Sequence, residues 1–142
     1  MKRLFASMLI SFALMLLCAL PSLAGWGGEF VCKSCGYKSD TVRTGQGMQS
    51  ESTVIYCPAC KAFHSVRPSK TGGKGLNPLT GTIEAIYPCP KCKKSAFEIR
   101  EETLSSLREM PGVQGAPKAK DCITCPMCGK KTLYFYPSLK WD

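Results

Sequence analysis

The chain has 142 residues, a formal charge of +9, and 13 glycines, 10 prolines and 10 cysteines. That length bounds it to one small domain or two very small ones, and much of its apolar content is concentrated at the N-terminus. The remainder has no long amphipathic helix with which to build a large helical core, so a fold of this size needs cross-links or metals.

In chain order, Lys2 and Arg3 come first, then an apolar run from Leu4 to Leu20, then Pro21-Ser22-Leu23-Ala24-Gly25. A charged start, an apolar middle and a small-residue end predict a signal peptide over residues 1–24, cleaved after Ala24. The alternative is an uncleaved anchor, although the run is near the short limit for a spanning helix. A lipoprotein signal fits poorly because Leu16 and Leu17 precede Cys18, and one arginine does not make a twin-arginine signal. Either way the basic start stays inside and the rest is expected outside the cytoplasm, periplasmic or secreted, touching membrane only through an uncleaved signal.

From there the cysteines recur in pairs: CKSC at Cys32 and Cys35, CPAC at Cys57 and Cys60, CPKC at Cys89 and Cys92, and CITCPMC at Cys122, Cys125 and Cys128. A tight turn across C-x-x-C aims both sulfurs at one ion while following backbone N–H groups can bond to them. Two such turns face to face make a closed tetrahedral site suited to zinc. Four pairs therefore predict two sites. Sequential pairing is expected, with Cys32, Cys35, Cys57 and Cys60 in one site and Cys89, Cys92, Cys125 and Cys128 in the other, because a hairpin joins neighbours at low loop-closure cost. Interleaved pairing stays open. In the last motif Pro126 and Gly129 supply the turn chemistry for Cys125 and Cys128, leaving Cys122 as the odd thiol. Disulfides are the competing state outside the cytosol, but they give no reason for a repeated C-P-x-C spacing.

β-favouring residues enter and leave each knuckle, predicting strands over 29–31, 53–56, 63–67, 82–86, 96–100 and 132–136. The fold expected is a small β-rich, metal-stabilised protein of two tandem ribbons, 25–67 and 82–142. Residues 68–81, rich in Gly, Pro and Lys, form a solvated linker between them. The second ribbon carries one short helix in REETLSSLREMPG, with Glu101 and Glu102 at its positive end, Arg108 at its negative end and Pro111-Gly112 as the stop. Leu104, Leu107 and Met110 are expected to face the ribbon.

The knuckles resemble those of the zinc-ribbon and rubredoxin-like families, most closely in VCKSCGY (Val31 to Tyr37) and CPMCG (Cys125 to Gly129). The resemblance implies one metal ion per two knuckles, hence two zinc ions, with iron and rubredoxin-like electron transfer as the alternative. Two departures stand out. Lys61 and Lys93 replace the Gly that often follows a knuckle, where a positive φ costs a non-Gly residue ~1–2 kcal/mol. The first two pairs are also closer together than in a rubredoxin.

The charge needs discounting before it is read as a nucleic-acid signature. Without Lys2 and Arg3 the +9 becomes about +7, and two sites of four thiolates and one divalent ion, each −2, bring it to about +3. Lys91, Lys93, Lys94, Lys130 and Lys131 read as solvated knuckle residues without interleaved aromatics, so no nucleic-acid partner is expected. His64, the one histidine, is read as structural; Glu84 and Glu98 have no partner at a catalytic spacing. With complete ligand sets and no nucleophile–base constellation, no enzyme is expected. The sequence reads as an exported structural or protein-interaction module whose partner is an envelope protein or complex. A periplasmic thiol-disulfide protein is the third reading.

Overall fold

The computed structural model describes residues 25–46, 51–69, 72–116 and 118–141. The expected signal peptide lies outside these residues. Among them the chain forms β1 (Gly25–Cys32), β2 (Val42–Gln46), β3 (Glu51–Cys57), β4 (Ala62–Val66), β5 (Lys74–Leu76), β6 (Ile83–Pro88), β7 (Ser95–Ile99), helix α1 (Glu101–Leu107), β8 (Ile123–Thr124) and β9 (Lys131–Trp141). It is a small β-rich fold with one short helix. Stretches such as ESTVIYC in β3 and SAFEI in β7 carry the β-branched and aromatic residues that suit a pleated, half-buried surface.

Three knuckles act as hairpin turns. Cys57 to Lys61 joins β3 to β4, Cys89 to Lys94 joins β6 to β7, and Cys125 to Lys130 joins β8 to β9. The first knuckle closes on itself after β1, with the Cys32 amide bonded to the Tyr37 carbonyl at 2.9 Å. The strands run in the order β5-β6-β7-β3-β2-β1-β9-β8, with β4 also paired to β3.

This order overturns the sequential pairing. β1 lies antiparallel to β9 along its whole length, from Gly25↔Trp141 to Cys32↔Leu133, so the first knuckle meets the last. β3 lies antiparallel to β7 through Val54↔Ile99 and Tyr56↔Phe97, so the two middle knuckles meet each other. The arrangement is nested, one knuckle pair inside the other in sequence, rather than two ribbons in tandem. Joining the first knuckle to the last instead of to the second makes the closed loop about fourfold longer, which costs only about 1.2 kcal/mol. The full-length β1–β9 ladder and the core beneath it outweigh that.

The main core fills the space between these ladders. Phe30 of β1 stacks on Phe63 of β4 with centroids 3.9 Å apart and meets Phe135 of β9 edge-on at 5.3 Å, an arrangement that ties the outer strands to the inner hairpin. Val42, Val54, Ile99, Leu104, Leu107, Ile123 and Leu133 complete it. The residues expected to form a solvated linker contribute as well. β5 pairs with β6, Leu79 is buried, and fully buried Asn77 donates from its amide to the Glu98 carbonyl (3.0 Å) while its Oδ1 accepts from the Leu79 amide (2.9 Å).

Helix α1 has Glu101 and Glu102 in its first turn and buries Leu104 and Leu107, but it stops at Leu107. Arg108 is already extended and bridges Phe135, with the Glu109 amide bonded to the Phe135 carbonyl at 2.9 Å. The guanidinium expected at the helix's negative end instead lies over the Trp26 ring, 3.6 Å from its centroid. Met110, expected against the ribbon, is half-buried.

Candidate metal sites

The ladders bring eight cysteines into two groups of four. Site 1 comprises Cys32, Cys35, Cys125 and Cys128; site 2 comprises Cys57, Cys60, Cys89 and Cys92; within each group all sulfurs lie within 4.8 Å of one another. The closest approaches across knuckles are Cys32–Cys128 at 3.7 Å and Cys35–Cys125 at 3.8 Å in site 1, and Cys57–Cys92 at 3.6 Å and Cys60–Cys89 at 3.8 Å in site 2. A tetrahedron with metal–sulfur bonds of about 2.3 Å has edges of about 3.8 Å, so each group has the dimensions of a tetrathiolate cage. A disulfide would need about 2.05 Å, and all nine cysteines of the described residues are free thiols.

The same backbone hydrogen bond closes three of the four knuckles. The residue after the second cysteine turns its amide back to the carbonyl of the first: Gly36 to Cys32 at 3.0 Å, Lys93 to Cys89 at 2.9 Å and Gly129 to Cys125 at 2.9 Å. That residue must take a left-handed conformation, and Gly36 (φ 73°) and Gly129 (φ 71°) do so in site 1. In site 2 the equivalent positions are Lys61 (φ 50°) and Lys93 (φ 62°), the only non-glycine residues at positive φ among those described.

Hydrogen bonds prepare some thiols for ligation and proximity holds others back. Burial raises the Cys32 thiol, but the Thr132 hydroxyl at 3.3 Å and the amides of Cys35 and Ser34 more than offset it, and its pKa falls to about 6. The Lys94 amide leads the groups that lower Cys92 to about 7. Cys35 is pushed up to about 12: the Tyr37 amide favours its thiolate, but desolvation and the other three sulfurs prevail. Cys60 also rises to about 12, chiefly through Cys92 and desolvation. Burial likewise raises Cys57 and Cys125. Each group thus offers one thiol shifted toward the thiolate, and a cation's charge would favour ionisation of the raised ones, Cys35 and Cys125 in site 1 and Cys57 and Cys60 in site 2. The Met127 amide, 3.4 Å from the Cys125 sulfur, is placed to stabilise the charge that develops there.

The remaining candidates fall outside both cages. Cys122 donates its thiol to the Lys131 carbonyl at 3.0 Å. His64 sits opposite Ile55, half-buried, with its basicity lowered by burial and then by Lys91, against Asp40. Buried Glu84 is held by Arg100 Nε at 2.5 Å and by the Thr82 hydroxyl at 2.6 Å, and Glu98 accepts from the Thr53 hydroxyl at 2.9 Å. Sequence reasoning passed over Thr132, which caps a cage sulfur. The signal for it was its place directly after the lysines that follow the last knuckle, where the return strand begins. Comparison with protein-family models, with curated proteins and with solved structures returns no match.

Proposed function

We propose that the chain is an exported protein-interaction module folded around two four-cysteine zinc sites, with no catalytic role for the metal. The observation that carries the reading is the pair of sulfur cages, whose 3.6–3.8 Å cross-knuckle spacings match a closed tetrahedral ion. A bound zinc ion supplies charge compensation and a cross-link between strands distant in sequence. All four positions around it are protein sulfurs, which leaves none for water or substrate. Export is supported by the basic, apolar and small-residue segments before Gly25. Bound as thiolates inside a cage, the cysteines are poor nucleophiles, which reconciles them with an oxidising compartment.

Elemental analysis of the purified mature protein tests this: two zinc ions per chain are expected, and a chelator should unfold the protein. Stoichiometric iron with ferric-thiolate absorption would replace the reading with electron transfer. A folded, metal-free protein lacking free thiols in its knuckles would replace it with a disulfide protein.

A further inference from the structure

Nested pairing brings together lysines that sequential pairing would separate. Lys61 follows the second knuckle, Lys91 lies within the third, and Lys93 and Lys94 follow it; site 2 gathers all four around one cage, and all are exposed. Among the described residues none of the four has a carboxylate partner. At site 1, by contrast, Lys33 pairs with Glu109 at 2.7 Å and Lys131 with Asp121 at 3.7 Å, which leaves Lys130 alone there without a carboxylate partner among the described residues.

Two of the four also sit where lysine is the wrong residue for the backbone. Lys61 and Lys93 hold left-handed conformations that site 1 assigns to Gly36 and Gly129. Neutralising a tetrathiolate cage does not require this, since site 1 carries the same ligand charge with glycine there. Strain thus falls at two equivalent positions of one cage, each bearing an exposed lysine with no carboxylate beside it, and the Lys93 ammonium has only the Pro90 carbonyl, at 3.2 Å, as a partner.

We propose that the lysine collar of site 2 docks an acidic, carboxylate-rich segment of a partner protein; this rests on the reading of the chain as a metal-folded interaction module. The collar lacks the exposed aromatics on which single-stranded nucleic acid stacks. It also lacks the apolar second signal that holds a basic patch on a membrane, because exposed Leu76, Ile83, Val113 and Met127 all lie outside the two site 2 knuckles. Point-charge lysines on two convex turns suit a flexible run of carboxylates.

The test uses zinc-loaded protein and a fluorescent peptide of about twelve alternating glutamates and glycines. The parent should bind it, more weakly as salt rises. K61G/K93G should bind about tenfold or more weakly, at up to about fivefold per exposed ion pair, while retaining two zincs. K118Q/K120Q, which removes the same charge from elsewhere on the surface, should bind like the parent. Equal weakening in both variants, no weakening in the first, or tighter binding to phosphatidylglycerol vesicles or a single-stranded oligonucleotide would overturn the proposal. Zinc content and chelator-induced unfolding are read on the same samples. A zinc-replete protein indifferent to the peptide refutes the docking alone, whereas a protein that stays folded without metal refutes the reading beneath it.

Discussion

Replacing Lys61 and Lys93 by glycine should make the protein more stable, although it deletes two side chains. Each lysine is held at positive φ, 50° and 62°, where a Cβ crowds the following carbonyl at a cost of about 1–2 kcal/mol. Glycine removes that cost but brings a more flexible unfolded chain, worth about 0.4–1 kcal/mol in the opposite direction. Little else is lost: both side chains are exposed, and the Lys93 ammonium makes only a 3.2 Å bond to the Pro90 carbonyl. The net gain is about 0.5–1 kcal/mol at each position, so the double variant should melt about 3–8 °C higher at fixed zinc stoichiometry. Site 1 supplies the converse. A Cβ at Gly36 or Gly129 would meet nothing within 4 Å, so G36K and G129K isolate the backbone term and should lower the melting temperature by a similar amount. Calorimetry on K61G, K93G, their double, G36K and G129K, with metal content measured on each, is the assay. If the lysine-to-glycine variants melt no higher than the parent, the left-handed turn is not strained and the reasoning fails.

Three further outcomes are expected. Cys128→Ser should lose the ion of site 1 and keep that of site 2, whereas Cys92→Ser should do the reverse; metal counts on the two variants, with melting curves, check the assignment. Asn77→Ala leaves the Glu98 carbonyl and the Leu79 amide without their side-chain partner in a buried setting and should cost about 2–3 kcal/mol in a denaturant titration, against a few tenths for a residue in a solvated linker. Zinc binding should release protons and weaken as pH falls: Cys35 and Cys60, held up at about 12, remain protonated in the metal-free protein at neutral pH and must lose that proton on ligation. Titration calorimetry in buffers of different ionisation enthalpy reads the protons released, and an affinity independent of pH between about 6 and 8 would contradict this.

The sequence discloses what is local and hides what is long-range. Cysteine spacing with Pro and Gly at the turns marks the knuckles, and the runs beside them mark strands that β1, β3 and β9 contain and that β4, β6 and β7 overlap to within one residue. The position directly after each knuckle, where Gly is usual, points to the positive φ found at Lys61 and Lys93 although lysine stands there. The partner of each knuckle is not a local property. It comes from β1 lying along β9 and β3 along β7, and neither ladder leaves a signal near the cysteines. β2 is short and contains Gly45, and only the burial of Val42 and Thr44 between neighbours gives it a strand's alternation. The Asn77-Pro78-Leu79 turn has loop composition, yet tertiary context buries its asparagine. Arg108 leaves the helix because Phe135 offers its backbone another partner, which no helix-ending signal in the sequence specifies.

Two four-cysteine cages join knuckles far apart in sequence. Loading the protein with cadmium-113 and recording cadmium–proton correlations tests this directly, because each metal resonance couples to the Hβ protons of its own ligands. Two resonances are predicted, one coupled to Cys32, Cys35, Cys125 and Cys128 and the other to Cys57, Cys60, Cys89 and Cys92. A resonance that couples Cys32 and Cys35 to Cys57 and Cys60, or one that includes Cys122, would contradict the nested fold.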